Sequence, residues 1–267
     1  MTSATRASAH DRPAGLGEAW SDLVRLVASY GALEPEIPEP ADVARAEPGC
    51  SFGRDGMRDP RPASVLVLFG AMDNRLADHQ TDLVPADLDV LLTQRSTRLR
   101  KHPGQIAFPG GARDPEDPSA AFCALREAQE ETGLDPTGVR VIGTLPSIPL
   151  AVSNFETTPV VAWWARPSKV AVVDDDEATR VFRVPVADLL DPQHRVRATL
   201  KRPRRDSGLP GVVSTPAFTV ANTLVWGFTA MVLDRLFDLL GWAEPWDRNR
   251  RIDITGWDAT KPVPPIS

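Results

Sequence analysis

Apolar and polar positions along the chain follow two periods, and these periods predict where helices and strands lie. Near the N-terminus, apolar side chains recur every three or four residues from Trp20 to Tyr30, which predicts an amphipathic helix. From residue 63 onward, apolar and β-branched residues instead form short runs that are typical of strands. The predicted strands are residues 63–71, 87–93, 139–145, 158–164 and 180–184.

Two further stretches have a helical pattern, at about residues 119–132 and 221–241. Because strands and helices do not alternate strictly, the pattern predicts an α/β fold in which helices sandwich a mixed β-sheet. The segments "RVRATL" and "VVSTPAFTV" flank a turn-rich stretch and predict a long hairpin. The apolar runs are far shorter than a bilayer-spanning segment, so we expect no membrane partner.

The same pattern divides the 267-residue chain into three parts. Residues 1–60 hold the predicted helix and a Pro-rich connector, and we interpret them as an N-terminal extension. Residues 61–245 contain the other predicted elements and have the size of one catalytic domain. Residues 246–267 are interpreted as a C-terminal tail, whose Pro-rich end "KPVPPIS" is predicted to be loose.

Charge and cysteine content limit the binding partners and the cellular compartment that we expect. The net charge of −6 argues against a general nucleic-acid-binding surface, although the basic "KRPRR" at residues 201–205 is either solvated or contacts an anionic substrate or RNA. Two cysteines are too few for a disulfide framework. The N-terminal stretch lacks the apolar segment of a secretory signal. We therefore expect a cytoplasmic protein.

The predicted helix near residues 119–132 carries the most informative charges. Pro118 suits its first position, Asp117 suits its N-cap, and Gly133 is suited to end it. At 100° per residue, one narrow stripe of this helix holds three glutamates, Glu127, Glu130 and Glu131. Like charges about 5 Å apart repel by roughly 3 kcal/mol per pair at an effective dielectric constant near 20. The stripe is therefore costly unless protons or a cation neutralise it.

A solvated helix face is the ordinary explanation of clustered glutamates, and a divalent metal is the alternative. Carboxylates at i, i+3 and i+4 suit Mg²⁺ or Mn²⁺, which share their coordination with substrate phosphates. Upstream, Gly110 and Gly111 allow a tight loop that brings backbone next to the glutamates. Arg126, four residues before Glu130, is placed to hold that carboxylate. This context favours the metal.

Two motifs carry a resemblance to a known family. With the glycine loop, "REAQEETGL" from Arg126 to Leu134 resembles the Nudix box and matches its ending at every specified position. The run "LLTQRSTRLRKHPGQIAFPGG", Leu91 to Gly111, resembles the extended signature of the coenzyme A pyrophosphatase branch of Nudix hydrolases. The similarity covers roughly residues 60–240. One departure is that eight residues separate Asp117 from Arg126, where the general box has seven between its glutamate and the arginine, so we interpret Asp117 first as a cap.

The resemblance implies a Nudix-type α/β/α sandwich and a hydrolase that needs Mg²⁺ or Mn²⁺. Its substrate would be coenzyme A or a derivative, cut at the diphosphate into phosphopantetheine and 3′-phosphorylated AMP. Glu127 and Glu131 would be the principal metal ligands, with Glu130 as the third and the Gly111 carbonyl as a further one. Glu127 or Glu130 would accept the proton of the attacking water. Glu177, in the acidic run from Asp174, is an alternative base, or belongs to a solvated acidic turn.

Basic and glycine residues upstream of the box are the candidates for substrate binding. Arg95 and Arg100 either grip a phosphate of the substrate or form surface ion pairs. Gly110 and Gly111 are expected to approach the substrate through their backbone. Two other functions stay open: hydrolysis of ADP-ribose, NADH or an oxidised nucleoside triphosphate, and a non-catalytic nucleotide- or RNA-binding module. The second predicts loss of a box glutamate, and all three are present. The oligomeric state is open, with a homodimer as one alternative.

Overall fold

A computed structural model describes residues 15–32, 57–73, 75–99, 101–203 and 210–267. A mixed eight-stranded sheet forms its centre, with strands in the order β3-β2-β1-β7-β5, while β4 pairs with β1, β6 with β7 and β8 with β2. Only β1 and β7 run parallel within it. These strands are β1 (Arg61–Gly70), β2 (Asp89–Arg95), β3 (Ile106–Ala107), β4 (Gly110–Ala112), β5 (Val139–Thr144), β6 (Ile148–Leu150), β7 (Phe155–Trp164) and β8 (Ala178–Pro185). All five predicted strands are present, with boundaries shifted by a few residues.

Helices cover both faces of this sheet. Side chains of β1 point alternately to the two faces, and each face belongs to its own hydrophobic cluster. Val67 and Phe69 join the cluster that includes side chains of α1 and α4, whereas Leu66 and Leu68 join the cluster that includes α2. The helices are α1 (Leu16–Ala32), α2 (Ala120–Thr132), the short α3 (Val186–Leu190) and α4 (Gly227–Leu240). The predicted α/β/α sandwich with a mixed sheet is confirmed. Within the described ranges, no helix has the length and apolarity needed to cross a bilayer.

A second sheet stands beside the first, with strands in the order β11-β10-β9-β12. Its strands are β9 (Arg195–Pro203), β10 (Pro210–Val220), β11 (Thr223–Val225) and β12 (Arg251–Asp253). Strands β9 and β10 are antiparallel, which confirms the predicted hairpin; the turn at residues 204–209 lies outside the described residues. The sheet has its own apolar cluster, formed by Val196, Ala198, Ala217, Leu224, Ile252 and Ile254.

Two sequence-based predictions need correction in this region. The helix predicted over 221–241 is present, but it begins only at Gly227, because Ala221 and Asn222 adopt positive φ angles of 51° and 58° and turn the chain into β11. The C-terminal residues are not a loose tail, since β12 pairs with β9 and Ser267 exchanges two backbone hydrogen bonds with Arg251. The division of the chain at residues 60 and 245 stays a prediction, and the Pro-rich connector lies mostly outside the described residues.

The predicted N-terminal helix is present as α1, and it packs into the central core. Leu23 is fully buried in the cluster shared with α4, and the Trp20 ring packs edge-on against Trp163 at 5.8 Å between centroids. Val27 approaches Gly143 so closely that an added Cβ on the glycine would lie 2.4 Å from its Cγ1. Residues of the predicted extension therefore contribute to the stability of the sheet.

We expect Leu23→Ala to lower the free energy of unfolding by about 2–5 kcal/mol, because it leaves a cavity in a closed core. Urea denaturation of the two proteins measures the difference. Val24→Ala is the matched control, since Val24 is the next residue on α1 and is 38% exposed. Equal losses in the two variants would contradict the packing of α1 described above.

Candidate active site

Helix α2 presents the glutamates, and its ends are fixed by local hydrogen bonds. Ser119 is the N-cap, and its hydroxyl accepts a hydrogen bond from the Phe122 N–H at 3.1 Å. At the other end, Gly133 adopts the left-handed conformation with φ of 67° and donates its N–H to the Gln129 carbonyl, as the sequence predicts. The prediction that Asp117 caps this helix is wrong, because Ser119 lies nearer the first turn and Asp117 binds elsewhere.

Asp117 is a buried partner of Arg126, and only 4% of it is exposed. Arg126 donates from Nε and Nη2 to the two carboxylate oxygens of Asp117, at 3.0 and 2.9 Å. These hydrogen bonds lower the pKa of Asp117 to about 2. The same guanidinium donates to Glu130 Oε2 at 2.9 Å and to the Ala112 carbonyl at 3.2 Å. Arg126 therefore ties α2 to the chain that follows the glycine loop.

Glu127 and Glu131 meet the glycine loop directly. The Gly110 N–H donates to Glu131 Oε2 at 3.3 Å. A Cβ added to Gly111 would lie 2.3 Å from Glu127 Oε2, so only glycine allows this carboxylate to approach so closely. Gly110 has a φ of 152°, and a Cβ there would lie 2.3 Å from the Ser64 carbonyl oxygen. The two glycines thus let backbone pass between β1 and the carboxylates.

The two carboxylates are held where a negative charge is unfavourable. Burial above all, with the charges of Glu127 and Glu177, raises the pKa of Glu131 to about 8 against the lowering effects of the Gly110 N–H and of Arg95. Burial likewise raises the pKa of Glu127, against the lowering effect of Arg126. Both shifts mean that the folded protein is stabilised when a proton or a cation neutralises these carboxylates.

The remaining predicted residues lie at different distances from this pair. Glu130 is half-exposed and held by Arg126. Glu177 is exposed, yet its charge raises the pKa of both Glu127 and Glu131. Its backbone carbonyl accepts a hydrogen bond from the Ser96 N–H at 2.8 Å. Arg95 stands at the end of β2, and its buried Nε meets no acceptor within the described part of the chain. Arg100 lies outside the described residues.

These residues allow a specific test of whether a divalent metal fits. Among the described residues, no three His, Cys, Asp or Glu side chains converge as a ready-made metal centre. The Arg126 guanidinium instead lies 3.0 Å from Glu127 and 2.9 Å from Glu130. Two partly buried carboxylates beside a glycine backbone are nevertheless hard oxygen donors of the kind that Mg²⁺ and Mn²⁺ bind. Glu127 and Glu131 are thus the residues that fit a divalent metal. The role of Glu130 as a third ligand stays a prediction.

A cavity of about 490 Å³ adjoins the glycine loop. Arg95, Lys101 and His102 give one part of its lining a basic character. Aromatic rings also line it, from Phe108, Phe155, Trp226 and Phe228, together with five side chains of the second sheet. Neither this cavity nor a larger one of about 660 Å³ has a box glutamate in its lining, but of the two only the smaller is lined by Gly110 and Gly111, the glycines that Glu127 and Glu131 meet. The smaller one is therefore the candidate substrate site.

The raised pKa of Glu131 predicts how stability changes with pH in protein stripped of metal by a chelator. Between about pH 4.5 and pH 8 the folded state keeps a proton that the unfolded state releases, so stability should fall as pH rises. We expect wild type to lose at least ~1.4 kcal/mol more than Glu131→Gln over this window, the value of one pKa unit. Thermal unfolding across the window measures it, and exposed Glu116→Gln should behave as wild type. Parallel curves for wild type and Glu131→Gln would contradict the assignment.

Known proteins resemble part of this chain in sequence. Residues 80–203 match the family model described as the NUDIX domain, so this part of the chain is a Nudix domain. An uncharacterized Nudix hydrolase NudL of Citrobacter koseri is 50% identical over 101 residues, and its counterpart in Escherichia coli K12 is 48% identical over the same length. Each alignment covers 38% of this chain and 52% of the relative, so the chain spans about half the length of the curated relatives it matches.

Solved structures of Nudix proteins are also similar. The Nudix hydrolase RenU of M. smegmatis aligns with a TM-score of 0.44 and 19% identity, over 71% of this chain and 91% of that one. The Nudix domain of Shewanella oneidensis NrtR, solved with ADP ribose, aligns with a TM-score of 0.37 and 21% identity, over 58% of this chain and 87% of that one.

Proposed function

We propose that this protein is a metal-dependent hydrolase that cleaves the diphosphate linkage of coenzyme A or its derivatives, with Mg²⁺ or Mn²⁺, to phosphopantetheine and 3′-phosphorylated AMP. One observation carries the proposal. Glu127 and Glu131 meet the Gly110–Gly111 loop where burial raises the pKa of both, beside a cavity lined by Arg95. The metal ion of a metal-bound diphosphate supplies the positive charge that the two carboxylates need, and the diphosphate itself supplies negative charge for Arg95.

The chemistry follows from the charges of the substrate. The oxygens of a diphosphate repel an incoming nucleophile, and a divalent metal held by Glu127 and Glu131 would neutralise them and favour ionisation of water. The attacking water oxygen forms a bond to one phosphorus as the bridging P–O bond breaks, and the water proton passes to a carboxylate. Glu130 and Glu177 are the candidate acceptors, because neither is packed against the glycine loop. Arg126 fixes Glu127 and Glu130 in position.

The choice of coenzyme A rests on the stretch from Leu91 to Gly111, which resembles the signature of the coenzyme A branch. In the structure this stretch includes β2, β3 and the glycine loop. Nine of its residues line the cavity, namely Arg95, Lys101, His102, Gln105, Ile106, Ala107, Phe108, Gly110 and Gly111. The residues behind the resemblance are thus the ones that a substrate in this cavity would contact, which supports a role in substrate selection.

A substrate panel tests the proposal. With millimolar Mg²⁺ or Mn²⁺, we expect coenzyme A to be hydrolysed with a higher kcat/KM than ADP-ribose, NADH or oxidised nucleoside triphosphates. Product masses in heavy-oxygen water identify the bond cleaved and the phosphorus attacked. Good hydrolysis of ADP-ribose with coenzyme A intact would overturn the substrate while leaving the glutamate chemistry standing. Binding without hydrolysis of any member would favour a non-catalytic module.

Arg95 offers a second test within the same panel. If its guanidinium grips a phosphate in the transition state, Arg95→Ala should cost about 2 kcal/mol, roughly thirtyfold in kcat/KM. Arg180→Ala is the control, because Arg180 is exposed on the neighbouring strand β8. An equal effect of both substitutions would show that Arg95 acts only through general surface charge.

A further inference from the structure

The second sheet closes one side of the candidate substrate cavity. Its contribution comes from five side chains on β9, β10 and the residue after β12: Ala198, Leu200, Val213, Thr215 and Ile254. Val213, Thr215 and Ile254 lie beyond residue 203, where the match to the NUDIX domain ends. We call these five residues the second-sheet wall. Part of the cavity is therefore built by residues outside the matched domain.

The second-sheet wall differs in chemistry from the basic part of the cavity. Its five side chains carry no charge, and the Thr215 hydroxyl is their one polar group. The positive side chains that line the cavity, Arg95 and Lys101, and the imidazole of His102 all belong to the segment around β2 and β3. A phosphate placed against the aliphatic wall would lose its hydration with no side chain of that wall to compensate it.

Trp226 adds a polar feature to this otherwise apolar surface. It follows β11 directly, caps α4 and lines the same cavity. Its indole N–H is buried and has no hydrogen-bond acceptor among the residues that the structure describes. A buried donor without an acceptor is unfavourable, so a ligand with a carbonyl oxygen near this indole would bind with an added hydrogen bond.

We infer that the second-sheet wall and Trp226 bind the uncharged arm of the substrate, a chain of methylene and amide groups attached to the diphosphate. Methylene groups gain from burial against Leu200 and Val213, and an amide carbonyl accepts the hydrogen bond of Trp226. The phosphorylated nucleoside lies towards Arg95 and Lys101, where positive charge is available. This inference rests on the proposed function, which makes the arm that of pantetheine, and it assigns the selection of that arm to the second sheet.

Neighbouring positions on β10 provide a matched pair of variants. Successive side chains of a strand point to opposite faces, so Val213 lines the cavity while Val212 is 55% exposed. Tryptophan at position 213 would fill the space that the arm needs, and tryptophan at 212 would not. Calorimetric titration of the full chain with Mg²⁺ measures the affinities of 4′-phosphopantetheine and of adenosine 3′,5′-bisphosphate, the two halves of coenzyme A.

Val213→Trp should weaken the binding of 4′-phosphopantetheine at least tenfold and that of adenosine 3′,5′-bisphosphate less than twofold. Val212→Trp should change neither affinity by more than twofold. Trp226→Phe keeps the aromatic ring and removes the N–H, so it should weaken 4′-phosphopantetheine alone, by about fivefold. This variant decides the question if circular dichroism shows that Val213→Trp is misfolded.

Three outcomes would overturn the inference. They are failure of the wild-type chain to bind 4′-phosphopantetheine, equal weakening of both ligands, and selective loss of adenosine 3′,5′-bisphosphate, which would place the nucleoside on the second sheet. Hydrolysis is scored separately in the substrate panel. Coenzyme A left intact there, together with the expected split in affinities, would remove the proposed reaction and keep the assignment of the wall.

Discussion

Glu127→Gln and Glu131→Gln should each lower kcat by a factor on the order of 100 or more, while the free energy of unfolding stays equal or rises. The amide keeps the shape of the side chain and removes the charge that a divalent cation needs. It also removes the unfavourable burial of that charge, which raises the pKa of both carboxyls. Turnover of the substrate at limiting Mg²⁺, measured beside thermal unfolding, separates the two effects.

Glu116→Gln is the control for this pair, because Glu116 is an exposed acid on the loop before α2. It should leave turnover and stability near their wild-type values. Near wild-type rates in both Glu127→Gln and Glu131→Gln at limiting Mg²⁺ would show that these glutamates are not metal ligands. A loss of activity that parallels a loss of stability would instead indicate a structural role.

The glycine loop allows a sharper separation of folding from catalysis. In Gly111→Ala the new methyl group meets the Glu127 carboxylate, the movable end of a side chain, so the protein should fold with Glu127 displaced. We expect kcat to fall by a factor on the order of 100, as when a group that positions a metal ligand is lost. In Gly110→Ala the methyl group meets the backbone of Ser64 and Val65, which cannot move aside, and the φ angle is unfavourable for alanine.

Gly110→Ala should therefore lower the free energy of unfolding by about 2 kcal/mol or more. Gly17→Ala is the control, because Gly17 lies in α1 with no atom near its added Cβ, and alanine there should stabilise by ~0.5–1 kcal/mol. Denaturant unfolding and single-substrate kinetics on the three variants give the comparison. A Gly111→Ala variant as active as wild type would contradict the close approach of Glu127.

Patterns that depend on neighbouring residues were predictable, and those that depend on distant partners were not. The apolar runs in β1 and β7 are long enough to predict buried strands. The spacing of Glu127, Glu130 and Glu131 places these side chains on one helical stripe. Strand β4 has three residues, two of them glycine, and it exists because it pairs with β1. No local signal in the sequence of β4 could indicate that pairing.

The same distinction applies within the candidate site. Asp117 is a residue type that often caps helices, which is why the sequence predicts a cap. Its actual partner, Arg126, is known only from the structure, where the loop before α2 folds back onto the helix. Two groups of the cavity were missed altogether, namely Trp226 and the second-sheet wall. Val213 and Ile254 look like ordinary strand residues, and they line a cavity with Arg95 only because the two sheets stand side by side.

The packing of α1 against the end of α4 has a consequence for the order in which the protein acquires its structure during synthesis. The Trp242 indole N–H donates to Asp22 at 2.9 Å, across 220 residues of sequence, and both helices share one hydrophobic cluster. A ribosome releases the N-terminal helix long before α4, so the side of α1 that packs against α4 stays uncovered until almost the whole chain has been translated, even where β5 and β7 already contact the helix. The central core is therefore completed late, and a ribosome-bound chain that stops before α4 exposes the apolar side chains that α4 covers in the folded protein.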